Sequence, residues 1–167
     1  MALRALAPPG LIDHLNTTLT QFPPLKRSHL IDECMKFLYL VSLTTQRTFI
    51  PVDQAIDEIW HACILQTRWY AALCEALPGG DFIHHQSGSF AQYVAVRTPN
   101  QTAHEMLQWV VDYVSHFGPF GEDIVAHWVI VKYVTSRYSI STQYLNRLAC
   151  ARLSDRTPGA DTKELIR

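Results

Sequence analysis

The chain has 167 residues, 48% of them hydrophobic and 17% charged, a balance that fills one core and excludes a disordered polymer. With 14 basic against 15 acidic residues the formal charge is -1, and Lys26-Arg27 is too short to make a basic face, so nucleic acid is not expected as a partner. No apolar run reaches the ~18–20 residues that cross a bilayer, and the start MALRALAPPGLIDHL has no long apolar stretch of the secretory kind, so no membrane is expected either.

In chain order, the first helix is expected over Leu11 to Gln21, between Pro8-Pro9-Gly10 and Pro23-Pro24. A second runs from about Ser28 to Gln46, with Ser28 as N-cap, Asp32-Glu33 in the first turn, and Leu30, Cys34, Phe37, Leu38 and Val41 as its buried stripe. Arg47 to Pro51 breaks the pattern. The third and central helix spans Pro51 or Val52 to about Leu77 and is stopped by Pro78-Gly79-Gly80. Its apolar positions, from Val52 and Ile56 to Leu73 and Leu77, cover more than one stripe, as for a helix with neighbours on two sides. Asp81 to Asn100 opens as a loop, and periodicity leaves Phe90 to Arg97 open between strand and helix. Further helices follow over about Thr102–Phe117, Glu122–Tyr138 and Thr142–Leu153, the last capped by Ser141. The expectation is an all-α fold, a compact bundle of about five to six helices with an irregular loop after the central helix. It forms one domain over residues 1–153, with a flexible tail over 154–167. Cys34, Cys63, Cys74 and Cys150 are widely spaced, without a C-x-x-C, and read as reduced thiols of a cytoplasmic protein.

The residues that can carry chemistry lie between Asp53 and His85. Asp53, Asp57 and His61 recur every four residues and therefore stack on one helix face. An aspartate one turn before a histidine either shares a metal ion with it or orients its ring. His84 and His85 follow the helix stop closely enough to fold back, and imidazole with carboxylate is a transition-metal donor set. Asp123 and His127 repeat the spacing, and two such pairs on antiparallel helices can converge on a bundle interior. The plainer readings stand beside these. His61 next to Trp60 is also what a hydrogen-bonded packing histidine looks like, and Asp53 and Asp57 suit a helix start through the dipole alone. Cys74 is a candidate nucleophile or thiolate, but a packed helix thiol fits it better. Trp60, Trp69, Trp109 and Trp128 read as core. His14, His29, His104 and His116 read as surface or partly buried. A glycine-rich phosphate loop, a G-x-S-x-G elbow and an H-E-x-x-H helix are all absent.

The run Val52-Asp53-Gln54-Ala55-Ile56-Asp57-Glu58-Ile59-Trp60-His61, followed by Leu65, Thr67, Tyr70, Cys74 and Phe82-Ile83-His84-His85, resembles the glycine-rich domain-containing protein-like family. The likeness extends from Lys36-Phe37-Leu38 to Phe117-Gly118 and Trp128. It departs from the family pattern at Gln86-Ser87, where a proline follows the double histidine, and at Cys63, where many members have a second histidine. The resemblance singles out Asp57, His61 and His84 and implies a shared polar site without naming a reaction. Three functions remain open. The first is a metal-dependent oxidative or hydrolytic tailoring enzyme of a biosynthetic pathway, acting on a small-molecule or peptide substrate. Its transition-metal ligands would be Asp57, His61 and His84, with His85 and His127 in reserve, and His61, Tyr70 and Cys74 would serve catalysis. The second is a metal-free helical interaction module in which the same cluster is a hydrogen-bond network. The third is a metal-free enzyme with His61 or His84 as general base and Tyr70 or Cys74 as proton donor. Oligomeric state is not legible.

Overall fold

A computed structural model of the protein describes residues 3–43, 52–85 and 90–154, with the backbone alone for 90–92. The expected tail beyond Ser154, the expected break at 47–51 and the end of the second helix past Leu43 lie outside the described residues. Those residues fold into a 3-10 turn, Leu3–Leu6, and nine α-helices: α1 Pro9–Thr18, α2 Pro24–Ser42, α3 Gln54–Leu65, α4 Thr67–Ala76, α5 Phe90–Ala95, α6 Pro99–Phe117, α7 Glu122–Val125, α8 Val129–Tyr138 and α9 Thr142–Ser154. The fold is all-α as expected, but the expected count of five to six helices is too low.

Two long helices organise the packing. The 19-residue α2 touches the 3-10 turn, α1, α3 and α6, while the equally long α6 also carries α8 and α9. One buried apolar cluster runs through all of this, from Leu11 and Leu15 through Phe37 and Leu38 to Trp109, Trp128, Leu145 and Ala149. Burial of side chains such as these contributes roughly 1.5–3 kcal/mol each, which makes the shared core the main support of the fold.

The extra helices have separate physical causes. The expected central helix breaks at Gln66, whose backbone (φ −92°, ψ 60°) leaves the helix and opens α4 through its carbonyl, bonded to Tyr70 N at 2.9 Å. No glycine or proline marks the break. It lets α1 pack against both α3 and α4, a gain in burial that local propensity does not encode. The expected helix over Glu122–Tyr138 breaks at Trp128, which turns extended (φ −106°, ψ 98°) and pairs with Val52 in an isolated antiparallel bridge. The open segment after Ser89 resolves as the short α5, and no strand occurs among the described residues.

Helix starts also moved. α2 begins at Pro24, where a missing N–H costs nothing, so Ser28 lies inside the helix and its Oγ accepts from Arg4 Nη2 at 2.8 Å instead of capping. α6 begins at Pro99 behind a full capping box. Thr98 Oγ1 accepts from Gln101 N at 3.3 Å, and Gln101 Oε1 accepts from Thr98 N at 2.9 Å. Ser141 caps α9 as expected, accepting from Tyr144 N at 3.1 Å.

Candidate metal centre

Asp53 starts α3. Its Oδ1 accepts from Ile56 N at 3.2 Å, which satisfies one of the orphan donors of the first turn. Ile56, Ile59, Trp60 and Cys63 then face the core, and this places Asp57 and His61 one turn apart on the opposite, solvent-facing side. His61 Nδ1 lies 2.8 Å from the Asp57 carbonyl oxygen and 3.4 Å from its Oδ2. A carbonyl oxygen only accepts, so in that contact Nδ1 carries the hydrogen and Nε2 keeps a free lone pair. A ring N–H held by a backbone carbonyl is how metal-binding histidines are commonly oriented.

The third member arrives from the loop after α4. Leu77 closes that helix and is buried. At Gly79 the turn passes so close to α2 that a Cβ would collide with the Ser42 carbonyl oxygen, and Gly80 takes a positive φ of 67°. From Phe82 to His85 the chain has no regular secondary structure, and burial alternates from residue to residue. Ile83 is buried and His85 half-buried toward α3, whereas Phe82 and His84 are exposed. His85 Nε2 lies 3.1 Å from Asp57 Oδ1, and its ring packs on Trp60 at 4.6 Å and on His61 at 4.3 Å between centroids.

Asp57, His61 and His85 thus bring one ligand atom each within 4.8 Å of one another. Ligands bonded at about 2.0–2.1 Å around a tetrahedral ion lie roughly 3.3–3.4 Å apart. The Asp57–His85 separation is close to that already, and exposed His61 has room to swing in. The two imidazoles and one carboxylate suit zinc, iron and their neighbours.

The other expected site residues fall elsewhere. His84 does not join the cluster; its ring packs on Phe82 at 4.9 Å. Burial alternates along the loop and leaves His84 on the outer side, so His85 occupies the place that the family likeness allotted to His84. His127 is not beside Asp57, and Asp123 is not its partner. His127 Nδ1 meets Asp53 Oδ2 at 2.8 Å, and its carbonyl accepts from Asp53 N at 2.9 Å. Tyr70 and Cys74 are buried in the core face of α4. The Tyr70 hydroxyl accepts from Trp60 Nε1 at 2.9 Å and donates to the Ile83 carbonyl at 2.7 Å. Burial pushes its pKa well above the ordinary value, so it stays protonated. Cys63 is buried against Cys34, whose thiol burial likewise pushes up. Position 63 therefore faces the core and not Asp57.

Glu33 went unrecognised. Only 2% exposed, it accepts from Lys36 Nζ at 2.6 Å, Trp128 Nε1 at 2.9 Å and Tyr113 Oη at 3.1 Å. The available signal is the helix start. With α2 opening at Pro24, Glu33 is no first-turn residue but a charge set among Leu30, Ile31, Cys34 and Met35.

The fold and this cluster define the class: an all-helical protein with an Asp-His-His group at the junction of a helix and a loop. Within that class the chain belongs to the UCP032817-like family, whose sequence profile matches residues 4–116. This corrects the likeness to the glycine-rich domain-containing protein-like family, since the UCP032817-like profile spans the very run that suggested it. No curated protein and no solved structure gives a significant match. The matched segment holds Asp57, His61 and His85 and ends before His127 and Trp128. Among the described residues no helix is long and apolar enough to cross a membrane.

Proposed function

We propose that Asp57, His61 and His85 hold one divalent transition-metal ion and that the protein is a metal-dependent enzyme. The observation that carries this reading is the convergence of the three ligand atoms within 4.8 Å. Three protein ligands leave at least one position for water or substrate, as catalytic rather than structural sites do. Exposed His61 keeps that position open to solvent, which suits a small molecule or a peptide as substrate. A bound ion would lower the pKa of a coordinated water toward about 7 or activate oxygen, according to its identity. Tyr70 acts from behind the site here, as support for its loop through the Ile83 carbonyl, and Cys74 is packed in the core.

Metal analysis of the full chain without a histidine tag tests this. About one ion per chain is expected, lost in Asp57→Asn, His61→Ala and His85→Ala and kept in His84→Ala and His127→Ala. Substoichiometric metal that His61→Ala leaves unchanged would sink the proposal.

The direct Asp57–His85 contact at 3.1 Å favours a second reading, a metal-free network that pins the loop onto α3. In that case chelator has no effect on thermal stability, and His85→Ala lowers stability by about 1–3 kcal/mol.

A further inference from the structure

We infer that Tyr70 is a positioning residue for the metal centre: through a hydrogen-bonded relay from Trp60 to the Ile83 carbonyl it sets where His85 stands. This deepens the metal-site reading proposed above and rests on it. Residues 60 and 70 are ten apart, and along a continuous helix they would be separated by roughly 15 Å. The break at Gln66 folds α4 back, so that the Tyr70 hydroxyl meets the Trp60 indole N–H at 2.9 Å. That N–H can only donate, which obliges the hydroxyl to accept there and turns its own proton toward Ile83 O, at 2.7 Å. All three groups are buried, where an alternative partner in water is lacking.

Ile83 stands two residues before His85 in the loop, and the two are turned inward while Phe82 and His84 are exposed. Fixing its carbonyl therefore fixes the base from which His85 projects. The Trp60 ring supplies the other constraint, since His85 packs on it with centroids 4.6 Å apart. One indole thus does two jobs: its N–H orients Tyr70, and its face supports the His85 ring. The hydroxyl touches none of the three ligands, so its contribution runs wholly through the loop.

The test uses the tag-free full chain, titrated with cobalt(II) chloride as the probe, in wild type, Tyr70→Phe and His85→Ala. Tyr70→Phe is expected to weaken cobalt binding about 10–100-fold, the usual cost of removing a group that supports a ligand. The ligand-field absorption should move toward that of His85→Ala while helical circular dichroism is kept. A metal-free readout accompanies it: the nuclear Overhauser effect between the Trp60 ring and the His85 ring proton, present in wild type and lost in Tyr70→Phe. Wild-type-like cobalt affinity and an intact Overhauser effect in Tyr70→Phe would overturn the inference. Wild type that binds no cobalt would defeat the metal reading alone. The Overhauser effect then decides positioning by itself, its loss supporting the relay and its persistence refuting it. Should Tyr70→Phe not fold, Trp60→Phe removes the indole N–H while keeping an aromatic face for His85, and its cobalt affinity alone is compared with wild type. About threefold weaker binding is expected for one lost neutral hydrogen bond, and wild-type affinity counts against the relay.

Discussion

Glu33 gathers three donors on one buried carboxylate. Its carboxylate is the common acceptor for an ammonium, an indole N–H and a phenol O–H from α2, the α7–α8 junction and α6. Removing an acceptor of this kind strands its donors in the interior, and each stranded neutral donor costs about 1–3 kcal/mol. Glu33→Ala is therefore expected to lower unfolding stability by about 3 kcal/mol or more, read as a lower midpoint in urea. Glu33→Gln keeps one carbonyl oxygen with two lone pairs for Trp128 and Tyr113, which share Oε2, and should cost less. Equal stability of Glu33→Ala and wild type would show that the buried carboxylate is dispensable. The charge was visible in the sequence but misread, because its environment depends on Tyr113 and Trp128, far along the chain. For the candidate site the reverse held: Asp57 and His61 were legible from their spacing by four, which any α-helix turns into proximity.

At the scale of elements, Asp53 joins two parts of the molecule. Its Oδ1 caps α3, while Oδ2 meets His127 at 2.8 Å in the turn that follows α7. Beside it the Val52–Trp128 bridge and the Asp53 N to His127 O bond tie the same segments through the backbone. Loss of an N-cap costs about 1 kcal/mol, and loss of the contact with His127 adds to that. Asp53→Ala is expected to destabilise by about 1–2 kcal/mol, with a smaller effect of His127→Ala. A double-mutant cycle should give a coupling energy of about 0.5 kcal/mol or more; strict additivity would mean that the two side chains do not interact in solution. The sequence offered His127 with the wrong partner. Asp123 precedes it by four residues, but α7 ends at Val125 and the helical spacing does not apply. The T-x-x-Q of Thr98–Gln101 is a capping-box pattern that apolar periodicity passes over, and it explains why α6 starts at Pro99 and not at the expected Thr102.

Across the whole molecule, burial sets a pH limit. It pushes the phenols of Tyr70 and Tyr113 well above their ordinary value of 10.0, and the thiol of Cys34 well above 9.0. In the unfolded chain these groups release protons at the ordinary values, so above about pH 9 the native state binds more protons than the unfolded one. Their contribution is thus fully present below that pH and is lost as pH rises. The urea midpoint should stay level to about pH 8.5 and fall through pH 9 to 11, with a shallower fall in Tyr113→Phe. A midpoint that rises over that window would contradict the sign. The core that imposes this burial is shared by the 3-10 turn and helices from α1 to α9, and the sequence announced it through apolar stripes without showing which stripes meet.

By itself the sequence determined the all-helical class, most of the helix positions and the pairing of Asp57 with His61, because each depends on residues within a turn or two of one another. Tertiary structure decided the rest. It split the central helix at Gln66, where packing against α1 and the reach of Tyr70 to Trp60 outweigh unbroken local hydrogen bonding. It also chose His85 over His84, since the loop, held at the Ile83 carbonyl, turns His85 inward to Asp57 and leaves His84 exposed. The Asp53 to His85 segment carries the candidate ligands, but the loop's anchor determines which of its histidines joins them.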